Sequence, residues 1–374
     1  MSEMDSEYLY PMMTGTSYVA YDDYSLPTES PEESCQAEPV PHANIFLPLL
    51  YAIIFVVGII GNSILIAALF RRGVQRLIDV FIVNLAASDF VFLITLPLWV
   101  DKEKSGGNWR SGSFLCKGSS YVISVNMYCS TLLLTCMSTD RYLAIMHPFV
   151  ARKVRTRFNS IGMCICVWVL SSFLGLPILL TRQLVLDKET GTSHCTDSDL
   201  MPMRWITSLI ILILAFFFPL LCILTFYCSV TRKLCMHYQK SGKHDKKLRK
   251  SIKIVFIVVA AFVFSWIPFN LFKLLAIISQ LLGPNLLCLP YKVALVGMQV
   301  SGPLAFANSC ANPFIYYFFD CYIRRAMMRC IYSQVKAHSV RSSSDTVDTR
   351  LSHSLSYFIY GEDATRKRRR SMSF

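Results

Sequence analysis

The sequence predicts an all-α membrane protein, a bundle of seven transmembrane helices closed by a short amphipathic eighth helix. Three observations predict it. Hydrophobic types make up 53% of the 374 residues and charged types only 16%, against about 25% charged in an average soluble chain. Uncharged apolar runs long enough to cross a bilayer recur along the chain. The basic residues collect on one side of those runs and the acidic residues on the other. This composition excludes a disordered chain and argues against an ordinary soluble enzyme.

The spans follow in order. A membrane-crossing helix needs about 20 mostly apolar residues. Residues 39–70, 118–139, 158–181, 205–231, 254–272 and 293–319 hold no Asp, Glu, Lys or Arg, in runs of 32, 22, 24, 27, 19 and 27. A seventh segment, 80–100, is broken only by Asp89. Residues 274–291 are also uncharged, but Gly283, Pro284 and Pro290 crowd their second half, which reads as a loop. The runs lack period-2 alternation, and an outer-membrane strand is only about 10 residues long. The first 38 residues have no Lys or Arg and no apolar core, so no cleavable signal peptide is expected.

A net charge of +13 is compatible with nucleic-acid binding only until it is resolved by side. With the N-terminus outside, residues 1–44 carry −9, the outer loop 101–117 carries +2 and the outer loop 182–204 carries −1. On the inside, Arg71, Arg72 and Arg76 give +3, and Arg152, Lys153, Arg155 and Arg157 give +4. The third inner loop, 232–253, carries +8, and the tail, 320–374, carries +6. The outside total is −8 and the inside total +21, which orients the chain N-out and C-in by its Lys/Arg bias. No nucleic-acid partner is needed to account for the charge. The chain divides into an extracellular, acidic, Tyr-rich tail (1–44), the bundle (45–319), a membrane-surface helix (320–333) and a cytoplasmic Ser/Thr-rich tail (334–374). The surface helix sets Phe319, Tyr322, Ile323, Ala326 and Met327 against Arg324, Arg325 and Arg329.

Each span carries its own motif. Gly61-Asn62 lies in the first and Asn84-Leu85-Ala86-Ala87-Ser88-Asp89 in the second. Asp140-Arg141-Tyr142 ends the third, and Trp168 and Pro177 sit in the fourth. Pro219 and Tyr227 sit in the fifth, with Phe262, Trp266 and Pro268 in the sixth and Asn312-Pro313-Phe314-Ile315-Tyr316 in the seventh. This ordered set resembles the rhodopsin-family (class A) G-protein-coupled receptors over roughly residues 45–333. Thr95-Leu96-Pro97 followed by Trp99, with Trp109 and Tyr51, resembles the peptide receptors of the chemokine-receptor branch. The stretches 85–99, 114–120, 251–261 and 301–310 narrow the likeness to one receptor of that branch.

The resemblance implies a plasma-membrane receptor that binds an extracellular peptide or chemokine-like ligand and activates a heterotrimeric G protein, of the inhibitory class. It implies a sodium site, with Asp89 as the charged metal ligand among Asn126, Ser130, Trp266, Asn308 and Asn312. No other cofactor is expected. A lone carboxylate at mid-membrane is costly, and oxygen donors suit a hard cation. It also implies an activation switch. Asp140 would hold Arg141 at rest, and Tyr142, Tyr227 and Tyr316 would complete the inner end. Phe262, Trp266, Pro268, Asn312 and Pro313 would act as the hinge beneath the ligand. A disulfide is implied between Cys116 and Cys195, and a second between Cys35 and Cys288.

The pocket departs from the branch. Its usual seventh-helix glutamate position is Gly302, with Gln299 as the nearest polar substitute. Lys117, Arg182 and Lys273 make the expected pocket positive, beside Tyr51, Trp99 and Trp109, so a ligand carboxylate is expected near Lys273. Tyr8, Tyr10, Tyr18, Tyr21 and Tyr24 lie among acids, a setting that suits sulfation and a basic ligand. Ser342, Ser343, Ser344, Thr346 and Thr349 are expected phosphorylation sites for receptor kinases and arrestin. Ser371 and Ser373 follow a basic triplet that suits a kinase and a phospho-motif reader, and Cys330 is an expected palmitoylation site. A transporter would want repeated halves or more buried acids, and no catalytic set emerges. A scavenger coupling to arrestin alone is the rival reading, against which stands an intact Asp140-Arg141-Tyr142.

Overall fold

The computed structural model describes residues 40–188, 190–197, 203–241, 246–283 and 287–341. Among them, seven spans are long and apolar enough to cross a membrane. The first is α1 (Ala43–Arg72). The second is broken into α2 (Leu77–Leu93) and α3 (Leu96–Lys104). The break falls before Pro97, which has no N–H to give. Thr95 turns the chain there, its Oγ1 donating to the Phe92 carbonyl at 2.7 Å. The third span is α4 (Gly112–Met146), followed by a short α5 (Pro148–Val154) and by α6 (Arg157–Thr181), which Thr156 caps.

The stretch 182–204 holds a feature that the apolar runs did not show. Strands β1 (Arg182–Leu186) and β2 (Ser193–Asp197) form an antiparallel hairpin with Arg182 opposite Asp197. The fifth span joins α7 (Arg204–Leu212) to α8 (Phe218–Ser241) through a π-helical turn at Ile213–Phe217, just ahead of Pro219. A π turn there fits a proline that withholds a ladder donor. The last spans are α9 (Lys246–Leu282) and α10 (Cys288–Phe319), and α11 (Cys321–Arg341) completes the described chain.

Helices outrun the apolar runs at several ends. Lys117 lies inside α4, much of 232–253 is helical, and α11 continues past residue 333 to Arg341. A charge ends an apolar run but not a helix, because Lys and Arg are good helix formers.

Close approaches hold the spans together. The Asn62 amide donates to the Gly58 carbonyl at 3.0 Å and to the Ser309 carbonyl of α10 at 2.9 Å. A Cβ on Gly58 would stand 2.7 Å from Leu93, and one on Gly175 2.9 Å from Tyr121. Only glycine lets these pairs of helices approach so closely. Trp168 donates to Asn84 at 3.0 Å, joining α6 to α2.

A charged clamp closes the end opposite the hairpin. Asp79 is fully buried and takes ion pairs from Arg72 and Arg76, each at 2.6 Å. Arg76 reaches on to Asp320 at 2.8 Å. Asp320 in turn accepts from the Tyr322 and Ile323 amides at 2.8 and 3.3 Å, which starts α11. Burial pulls the Arg76 guanidinium down, but Asp79 and Asp320 outweigh that and hold it above its ordinary value. The clamp thus joins the α1–α2 turn to the α10–α11 joint. Removing one partner of a buried pair leaves the other charge uncompensated, at roughly 3 kcal/mol. Asp79→Ala is therefore expected to lower the thermal unfolding midpoint of the purified protein, and an unchanged midpoint would show that the clamp is not needed.

Candidate functional site

Three polar constellations lie along the bundle. The first is a cavity of about 1030 Å³ at the hairpin end. Tyr51 of α1, Trp99 of α3, Arg182 of β1, Lys273 of α9, and Gln299 and Gly302 of α10 all line it, with Trp266 among them. Phe306 carries aromatic contacts across its wall, 5.5 Å from Tyr51 and 5.0 Å from Phe92 between centroids. The indole N–H groups of Trp99 and Trp266 are buried without a partner among the described residues. The wall therefore offers donors that a ligand's oxygen atoms would satisfy.

The hairpin roofs this cavity. A disulfide joins Cys195 of β2 to Cys116 of α4. Arg182 donates to the Ser120 hydroxyl at 3.2 Å and pairs with Asp197, also at 3.2 Å. Two expected ligand contacts lie elsewhere. Trp109 is 2% exposed and props the hairpin, its backbone N–H donating to the Ser193 carbonyl at 2.6 Å and its indole to Gly112 at 3.0 Å. It meets Trp99 edge-on at 5.6 Å, behind the wall. Lys117 also lies off the wall, about one turn nearer the start of α4 than the lining residue Ser120. Conversely, the wall contains Lys102, Glu103, Asp197 and Arg204, which the sequence reading did not single out. Their charges look like ordinary loop charges until the hairpin folds over them.

The second constellation surrounds Asp89, which is fully buried. Its carboxylate accepts from the Asn126 amide at 3.1 Å and from the Asn312 amide at 2.8 Å. Asn126 also donates to Ser88 at 3.1 Å. Three buried oxygens, Ser130 Oγ, Asn308 Oδ1 and Asn312 Oδ1, have no partner among the described residues. Trp266 makes no hydrogen bond here and packs instead on Phe262 and Phe269, each with its centroid at 6.2 Å. One carboxylate with neutral, unpartnered oxygens is a donor set that fits a small hard monovalent cation.

The third constellation is at the clamp end. Arg155, just beyond α5, grips Asp140 with two hydrogen bonds, at 2.6 and 3.1 Å. Arg141 stands 3.7 Å from Asp140 and makes no hydrogen bond to it. The expected hold of Asp140 on Arg141 is thus weak in this structure, and Arg155 takes its place. Neighbours in sequence do not face one another on a helix, whereas an Arg fork from another element meets a carboxylate two-handed. Tyr227 and Tyr316 are buried nearby, their hydroxyls without partners among the described residues. Tyr142 lies on Phe226, 4.9 Å between centroids. Pro268 and Pro313 sit inside α9 and α10.

Other expected sites divide by position. Cys288 is disulfide-bonded, while Cys35 lies outside the described residues. So do Tyr8, Tyr10, Tyr18, Tyr21 and Tyr24, and Ser342, Ser343, Ser344, Thr346, Thr349, Ser371 and Ser373. Cys330 is buried within the core, so the thiol expected to take an acyl chain is shielded in this structure. Its face of α11 turns to the bundle because α11 packs along α1.

Comparison with known proteins agrees with this architecture. The family described as 7 transmembrane receptor (rhodopsin family) matches residues 61–316. Mouse G-protein coupled receptor 15 is 52% identical over 364 residues, covering 97% of this chain and all of that protein. It is the receptor that the four sequence stretches resemble. Apelin receptor B of Danio rerio is 36% identical over 326 residues, covering 83% of this chain and 89% of its own. The apelin receptor of Xenopus tropicalis is 34% identical over 315 residues, covering 82% and 86%.

Proposed function

This chain belongs to the rhodopsin family of seven-transmembrane receptors, and from that premise we propose that it binds an extracellular peptide or chemokine-like ligand and activates a heterotrimeric G protein. As a member it is a multi-pass plasma-membrane protein and not an enzyme. The observation that carries the proposal is the pairing of two sites along one bundle. A cavity of about 1030 Å³ includes Trp266 in its wall, and at the far end Tyr227 and Tyr316 lie buried and Arg141 half-buried. A shift of α9 about Pro268 would connect them. The apelin receptors among the relatives, named for a peptide, support a peptide ligand, and the charge of −8 on the proposed outer side supports a basic one. Sulfation of the N-terminal tyrosines would add to that charge.

The N-terminus faces outward in this reading, because the +21 of the other side then meets the cytoplasmic leaflet. The G protein is of the inhibitory class, as in the branch that the chain resembles. Phosphates on the Ser/Thr-rich tail recruit arrestin. The family implies a sodium ion, and Asp89, Ser130, Asn308 and Asn312 would hold it. Its charge would offset the buried carboxylate and favour the resting state.

Three measurements test this function. Cells expressing the chain, challenged with secreted peptides, are expected to show G-protein activation that Arg141→Ala abolishes while surface expression persists. Arrestin recruitment with no G-protein response would instead make the protein a scavenger. Amidating the C-terminus of the active peptide is expected to reduce potency at least tenfold by removing the partner of Lys273, and unchanged potency sinks that contact. Agonist binding to the wild type is expected to weaken as sodium replaces a bulky organic cation at constant ionic strength. Asp89→Asn is expected to lose that dependence, and a variant that keeps it would place sodium elsewhere.

A further inference from the structure

His194 of β2 takes no part in the sites described above, yet it stands where the hairpin meets the loop between α3 and α4. Its Nε2 lies 2.9 Å from the Thr192 hydroxyl, and its Nδ1 lies 3.3 Å from the Gly107 carbonyl. The contacts continue beyond Thr192. The Thr192 and Thr190 hydroxyls are 2.7 Å apart, and Thr190 donates to the Asp187 carboxylate at 2.7 Å. Five groups thus form one chain from Gly107 to Asp187 through four contacts.

Each contact brings two electronegative atoms within hydrogen-bond distance, so each needs one hydrogen. The carbonyl and an ionised carboxylate supply none, and each threonine hydroxyl supplies one. A neutral imidazole supplies one more, which leaves the fourth contact with lone pairs facing each other. With the ring hydrogen on Nδ1, the gap falls between the two threonines. With it on Nε2, the hairpin chain stays whole and the gap falls at Gly107, the longest of the four contacts. A doubly protonated ring supplies the missing hydrogen and satisfies all four. A proton on Asp187 would also complete the count, but imidazole is a far stronger base than a carboxylate.

The two ends of the weak contact belong to different parts of the cavity roof. Gly106 and Gly107 line the cavity, and His194 precedes Cys195, which is bonded to Cys116 of α4. Two further bonds cross the same joint. The Ser193 N–H donates to Asn108 at 3.0 Å, and the Trp109 N–H donates to the Ser193 carbonyl at 2.6 Å.

We propose that His194 is a proton-operated clasp. With both ring nitrogens protonated it fastens the hairpin to the α3–α4 loop, and on losing a proton it releases Gly107 and loosens the roof. Histidine is the side chain whose charge changes between pH 5 and 8. The charged groups on the elements packed around it are mostly paired. Asp101 pairs with Arg110, Lys102 with Glu103, and Arg182 with Asp197. Lys104 of α3, Lys117 of α4 and Lys188 of the hairpin turn oppose a further cation, whereas Asp187 at the end of the chain favours one. Glu189 of the same turn lies outside the described residues. Among the described residues none of these groups forms an ion pair with the ring.

The test follows amide hydrogen exchange by mass spectrometry on the full chain purified in detergent micelles, comparing wild type and variant at the same pH. The Trp109 and Ser193 amides report the joint, and the amides of α9 report that the bundle is folded. A hydrogen bond from a charged donor is strong enough to change protection about tenfold. At pH 5.5 the wild type is expected to protect the two amides about that much better than His194→Gln does. The imidazolium finds a partner at each nitrogen only in the folded chain, so this protection is full at acid pH and fades as pH rises. By pH 8 the two proteins are expected to agree. Thr192→Val keeps the histidine and cuts the chain, and it is expected to flatten the pH profile in the same way. An advantage of the wild type that is equal at pH 5.5 and pH 8 would overturn the proposal by making His194 a neutral strut. So would a Thr192→Val variant that keeps the full pH dependence. Exchange is read without a ligand, so failure of the receptor reading would leave this result unchanged.

Discussion

A hydrocarbon interior has no water to give a polar group, so polar side chains inside the spans take partners from the protein, and a few of them tie one helix to another. Asn62 is answered by a carbonyl of α10, Asn84 by the Trp168 indole of α6, and Asp89 by Asn126 of α4 and Asn312 of α10. These bonds are few, and they cross the central helix pairs. Around them the helices close through glycine contacts and apolar packing. A bundle assembled in this way has little freedom in register, because sliding one helix by a turn would strand several buried polar groups at once.

The same constraint separates the two ends. At the hairpin end a disulfide, Trp109 and the Arg182–Asp197 pair hold a roof over a cavity. At the other end the clamp of Arg72, Arg76, Asp79 and Asp320 draws the α1–α2 turn onto α11. Between them lies Asp89, with unpartnered oxygens around it. The proposed receptor function depends on this division. One end is open to a ligand, the other is closed by ion pairs that can exchange, and a polar cluster in the middle is placed to respond to both.

Much of this was legible in the residues. Seven spans followed from run length, and the meeting of Asp89 with Asn126 and Asn312 was expected from the family resemblance. The pocket was legible only in part. Lys273, Arg182, Gln299, Trp99 and Tyr51 do line the cavity, whereas Trp109 and Lys117 do not. Which way a residue of a loop or a helix end faces depends on how the hairpin folds over it, and no local pattern records that. Arg155 was likewise read as one more inner positive charge. Its grip on Asp140 joins residues 15 positions apart through a turn whose path only the packing sets. The helix ends were misjudged for a simpler reason: hydropathy reports where lipid stops, and the backbone continues in a helix beyond that point.

By itself the sequence determined the number of spans, their order, the side on which charge accumulates and the family to which the chain belongs. The spans and the charge distribution depend on transfer free energies and charge counts, which add along the chain without reference to contacts, and the family was read from the ordered motifs. Tertiary structure decided which charges are partnered and which are free. It buried Cys330, gave Asp140 to Arg155, turned Trp109 into a strut and brought His194 to Gly107. Partnership is a property of distance in space, and residues remote in sequence come within 3 Å only when the helices between them have packed.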